Sequence, residues 1–145
     1  MWKIILFMIL IASTVSANNE LFYNQTILTQ EEGRLTFVDG SYILFDGPQI
    51  VEFHRQIDQR LNNIVDQKTA KKQAFRLLEF IPQEQMKSFV FDNQVDYYNN
   101  TYMFRWFGYV NEIYILDEGV AIDVRVDGTL MLWKFNNVKN KNFAG

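Results

Sequence analysis

His54 is the single histidine of the chain, and it stands near Glu52, Arg55 and Asp58, company in which a base or a metal ligand would work. A zinc site draws three or four protein or water ligands, and the sequence has no cysteine and no second histidine to complete one. A solvated or capping histidine is therefore the simpler reading. A serine triad would have to recruit the same His54, and no Gly-x-Ser-x-Gly stretch exists to present a nucleophile. Acidic pairs occur at Glu31-Glu32, at Asp92 with Asp96 and at Asp117-Glu118. Two carboxylates hydrolyse a glycoside when held about 5 to 9 Å apart, whereas acids beside turns are commonly solvated loop residues. Asp127-Gly128 lacks the spaced oxygen ligands of a calcium site. Asp123 and Arg125 lie on one face of a strand between apolar neighbours, where a cross-strand charge pairing on the solvent side is expected. These residues assign no catalytic, cofactor-binding or metal position, and the chain is expected not to be an enzyme.

Seven aromatic residues form the other chemically capable group: Tyr97, Tyr98, Tyr102, Trp106, Tyr109, Tyr114 and Trp133. Most belong in a core or on a sheet face covered by helices. They outnumber what one face absorbs, and a remaining exposed patch would mark a binding surface. Lys68, Lys71 and Lys72 read as a solvated helix face. Asn24-Gln25-Thr26 and Asn99-Asn100-Thr101 are N-glycosylation sequons, which would place glycans on a secreted eukaryotic surface; chance sequons are equally expected in so asparagine-rich a chain.

These side chains must be positioned by a chain of 145 residues with 14 Lys and Arg against 17 Asp and Glu, a net charge of -3 that argues against a nucleic-acid partner. Met1-Trp2-Lys3, the apolar run Ile4 to Ala12 and the small-residue exit Ser13 to Ala17 read as a signal peptide cleaved after Ala17. The run is shorter than the about 20 apolar residues of a spanning helix, so no stable membrane span is expected after cleavage. The expected location is extracellular or in the cell envelope. Residues 18–145 suffice for one domain, and with no cysteine the apolar core alone must hold it.

Within that domain, Asn18 to Glu32 is polar and reads as a loose start. Leu35 to Val38, Asp39-Gly40 and Ser41 to Phe45 read as a hairpin. From Gln49 the apolar positions Ile50, Phe53, Ile57, Leu61, Ile64 and Val65 fall three or four apart, the period of a helix, with Asp46 and Pro48 as its start. A second helix takes Ala70, Ala74, Phe75, Leu77, Leu78 and Ile81 as its apolar side and ends at Pro82, with one more turn to Lys87. Strand alternation then governs Phe89 to Asp92, Tyr102 to Phe107 and Val120 to Val126. Asp127-Gly128 turns the chain into a last strand, Leu130 to Phe135. The expected fold is α+β: helices packed on one face of an antiparallel sheet of about four strands, with an N-terminal hairpin and a flexible tail at 136–145.

The segment Tyr102-Met103-Phe104-Arg105-Trp106-Phe107-Gly108-Tyr109-Val110-Asn111-Glu112-Ile113-Tyr114, followed by Glu118 to Leu130 with its Val-Asp-Gly, resembles the PepSY-like domains, most closely the YcdB/YcdC type. The helix Lys68 to Ile81 and the exit Pro82-Gln83-Glu84 extend the resemblance to roughly residues 66–135. Glu112 occupies a corner position where that family usually has Gly, so a corner needing positive φ would be strained or built differently here. The resemblance implies a secreted, non-catalytic binding module that engages an extracellular protein in trans, plausibly a peptidase, without a cofactor. The alternative is a general extracellular binding or structural domain that recognises a ligand, glycan or lipid through the aromatic patch.

Overall fold

The computed structural model describes residues 27–56 and 64–136, and of residues 116–118 only the backbone. The expected signal peptide, the Asn24 sequon, and Ile57 and Leu61 of the expected first helix lie outside the described residues, as does the expected tail beyond Asn136.

Among the described residues nine strands form one antiparallel sheet: β1 (Ile27–Glu31), β2 (Arg34–Phe37), β3 (Tyr42–Asp46), β4 (Gln49–His54), β5 (Phe89–Phe91), β6 (Asp96–Tyr98), β7 (Thr101–Val110), β8 (Ile113–Arg125) and β9 (Leu130–Asn136). The spatial order is β1-β2-β3-β4-β9-β8-β7-β5, and β6 pairs with β7 farther along the edge that β5 occupies. Helical structure between 64 and 136 amounts to α1 (Gln67–Arg76), a 3-10 turn (Leu77–Phe80) and the single turn α2 (Gln83–Met86). The expectation of helices on a sheet of about four strands is thus overturned: the domain is mostly sheet, with one helical segment lying against it.

The strand that displaces the expected first helix is β4, and the reason is a bulge. Ile43 faces Phe53 and Leu44 faces Glu52, but Phe45 faces Ile50, so one extra residue enters β4 between the last two pairs. Ile50 and Phe53 then both reach the buried side at 4% and 0% exposure although they are three apart. A bulged strand can therefore imitate the spacing of a helix. The hairpin β2–β3 forms as its sequence requires, with Asp39 accepting hydrogen bonds from the Ser41 amide (2.9 Å) and hydroxyl (3.1 Å).

α1 starts where Asp66 accepts the Thr69 amide at 2.8 Å, a side-chain N-cap. It buries Ala70 and Ala74 against β7 and β8. The small side chains bring the helix close to a layer made of Phe104, Trp106, Val120, Ile122 and Val124, each at most 3% exposed. The Trp133 indole N–H donates to the Leu77 carbonyl at 3.0 Å and ties β9 to the end of the helical segment. Leu35, Phe37, Ile43 and Phe53 belong to the same buried cluster as Phe104 and Trp133, so the N-terminal strands share the core of the C-terminal ones.

Two hairpin turns place a pair of consecutive non-glycine residues in the left-handed backbone. Asn99 and Asn100 have φ 53° and 59°, and Asn111 and Glu112 have φ 52° and 65°; both pairs are two-residue hairpin loops of type I′. The corner at Glu112 is therefore formed with positive φ despite the missing glycine. Phe107 pairs with Gly119 while Gly108 pairs with Ile115, which leaves 116–118 without a partner on β7, and beyond this break the two strands form a short finger, Tyr109 to Tyr114.

Candidate functional site

The sheet face away from α1 collects the polar residues of the central strands. His54 lies on β4, not on a helix, and its ring stacks on Tyr42 at 5.1 Å and 13°. The Arg34 guanidinium carbon sits 4.4 Å from the centroid of the same Tyr42 ring. The Tyr42 hydroxyl donates to the Glu52 carboxylate at 2.7 Å. That hydrogen bond holds the phenol above its ordinary pKa, helped by burial and by the charge on Glu52. Glu52 also lies 3.7 Å from the Lys134 ammonium. Across the sheet, Arg105 donates to Asp123 at 2.6 Å. Burial raises the Asp123 carboxyl, and the bond to Arg105 opposes the rise without reversing it. Each of these two carboxylates is paired, Glu52 with a phenol and a cation and Asp123 with a cation. His54 Nδ1 is buried with no hydrogen-bond partner, and among the described residues no group of three or more His, Cys, Asp or Glu could hold a metal ion.

The expected pairing of Asp123 is thus present, with Arg105 as partner. Arg125 departs from the same face: it is 9% exposed and pairs with Asp127 where the β8–β9 turn begins. Burial pushes the Asp127 carboxyl up, and hydrogen bonds from Arg125 and Thr129 outweigh it, leaving the group below the usual carboxylate range. Buried Arg55 lies at the same end of the sheet, its pKa lowered by desolvation to about 10. Glu31 and Glu32 are exposed at the β1–β2 turn, Asp92 accepts the Gln94 amide at 3.0 Å, and Asp96 is exposed at the start of β6. None of these acids is presented toward a shared site.

The seven aromatic residues do not form one patch. Trp106 and Trp133 are buried at 3% and 2%. Tyr102 is half-buried and packs on Tyr97 at 5.1 Å. Tyr97 and Tyr98 are exposed at 55% and 72% beside the Asn99 turn, and Tyr109 and Tyr114 at 38% and 55% on the finger. The two exposed groups sit at opposite ends of β7, roughly 25 Å apart at a strand's rise per residue. The finger carries two further apolar side chains that the aromatic count does not reveal, Val110 at 42% and Ile113 at 66% exposure. Tyr109 and Tyr114 pair on one side of it, 5.2 Å between ring centres, and Val110 and Ile113 pair as the next step, on the other side. The signal for them in the sequence was the alternation on either side of Asn111-Glu112, a two-residue loop flanked by apolar strands. At the opposite margin of the sheet, β1 is exposed along its length and includes Leu28 at 61%.

With this geometry, the chain shares its fold with the Bacillus megaterium YpeB C-terminal domain at a TM-score of 0.54 and 15% sequence identity. The match covers 91% of this chain and 64% of that one. At that identity the likeness is one of fold alone, and the expected YcdB/YcdC assignment gains nothing from it. No protein-family profile matches the sequence, and no curated protein matches it.

Proposed function

We propose that the chain is a secreted, non-catalytic PepSY-like module that binds an extracellular protein in trans, in the first instance a peptidase. The observation that carries this reading is the finger: Tyr109, Val110, Ile113 and Tyr114 expose four large apolar side chains on a two-stranded projection whose two sides are both apolar. A contiguous apolar projection of that kind costs solubility unless a partner covers it. A two-stranded finger enters a cleft as a unit, and the PepSY-like fold supports a protein as the partner. The division of the aromatic residues between the core and two distant ends speaks against one continuous platform for a glycan or lipid. Among the described residues no helix is long and apolar enough to cross a membrane.

The test places a photo-crosslinking phenylalanine analogue at Ile113, or at Lys68 as a control, in the full chain and exposes each to the extracellular fraction of the native source. A crosslink at 113 alone, to one secreted peptidase in near-equal amount, supports the reading. Crosslinking to some other single protein supports binding and removes the peptidase, and no specific product at 113 overturns the reading.

A further inference from the structure

We infer that Asn99 is the acceptor of an N-linked glycan whose first sugar packs on Tyr98. The inference rests on the chain being secreted by a eukaryotic cell and is independent of its partner. Asn99-Asn100-Thr101 has the acceptor sequence, and the fold presents it at the apex of the β6–β7 hairpin, where Asn99 is exposed. Its two asparagines have different surroundings. Asn100 is held against the body: its carbonyl accepts the Val126 amide at 2.8 Å and its side-chain oxygen accepts the Tyr97 hydroxyl at 3.3 Å. The Asn99 side chain makes no hydrogen bond among the described residues, while Thr101 Oγ1 donates to the Asn99 carbonyl at 3.2 Å.

The neighbouring ring supplies the second observation. Tyr98 and Thr101 are directly paired across the hairpin and so share a face, with Asn99 starting the loop between them. Tyr98 is 72% exposed and packs against no other ring among the described residues. A sugar linked to Asn99 would start one residue from this exposed ring, within its reach. The C–H bonds on one face of a pyranose are weakly positive and the face of an aromatic ring is negative, so the two surfaces attract. The otherwise costly exposure of Tyr98 is then accounted for. The donor this requires is a lipid-linked diphosphate oligosaccharide. The Asn99 amide nitrogen bonds to the anomeric carbon, the bond from that carbon to the diphosphate breaks, the diphosphate leaves with the electron pair, and the amide gives up one proton.

The experiment expresses the full chain in eukaryotic secretory cells, once with its own N-terminus and once behind a heterologous leader. Glycans are then removed enzymatically in heavy-oxygen water, which converts an occupied asparagine to labelled aspartate. Labelled aspartate at 99 is expected, and it should be absent from Asn99→Gly, a substitution the positive φ accepts without strain. Label under the heterologous leader alone sustains the acceptor site and overturns the native signal peptide. Unmodified Asn99 under both leaders overturns the site. The glycosylated protein should also melt above its deglycosylated form, and Tyr98→Ala should erase that difference; an unchanged difference overturns the packing on Tyr98.

Discussion

Two residues show most directly how local chemistry is settled against a cost. Glu112 holds φ 65°, a conformation that disfavours an L-residue by roughly 1–2 kcal/mol, whereas glycine adopts it freely and loses part of the gain to its own entropy. Glu112→Gly is therefore expected to stabilise the fold by about 0.5–1 kcal/mol, read as a higher denaturant midpoint at unchanged slope. Asp127 illustrates the charged case. Its native pKa lies below the unfolded value because Arg125 and Thr129 outweigh its burial. The sign follows: Asp127 contributes stability above its unfolded pKa of roughly 3.9, and the contribution is lost as pH falls through the lower native value. Denaturant midpoints measured from pH 6 to 2 should fall more steeply for the native chain than for Asp127→Asn.

Elements depend on how closely backbones approach. Gly119 has φ 151°, and a Cβ there would lie 1.9 Å from the Trp106 carbonyl oxygen, where the β7–β8 register breaks. Gly119→Ala must move one of the two longest strands, and a cost of about 3 kcal/mol or more is expected in equilibrium unfolding. On the neighbouring strand β9, the Trp133 indole N–H bonds the Leu77 carbonyl at the end of α1. Trp133→Phe removes that donor and some volume, and a loss of about 1–3 kcal/mol is expected by the same measurement. At this scale the sequence was legible wherever one period ran without interruption. The β2–β3 hairpin, the apolar side of α1, and the alternation of β7, β8 and β9 all follow from it; the cap does not, since the one expected was Asp46, at the start of a helix that β4 replaces, and the one formed is Asp66. It misled at β4, because the bulge sets Ile50 and Phe53 three apart on one buried face and the alternation that marks a strand is lost.

Across the whole molecule, the sheet distributes its apolar side chains among a core, an exposed edge and a finger, and binding should depend on the last. Ile113→Asp should leave the melting temperature within about 2 °C of the native chain, since an exposed residue contributes little to stability. It should abolish the crosslink formed from Tyr114 if the finger enters a cleft.

The candidate surface was half legible in the sequence. Tyr109 and Tyr114 were recognisable as aromatic residues beyond what a core absorbs, and Asn99 as part of a sequon. That Trp106 and Trp133 leave this group for the interior, and that Val110 and Ile113 join it, depends on the pairing of β7 with β8 and on where α1 lies. The sequence by itself determined the turns at Asp39-Gly40 and Asp127-Gly128 and the alternating strands, since these arise from interactions between residues a few positions apart. Only the tertiary structure decided the strand order, the bulge in β4, the separation of the two exposed tyrosine pairs and the partners of Arg105 and Arg125. These are outcomes of contacts between segments distant in the chain, whose energies no local pattern records.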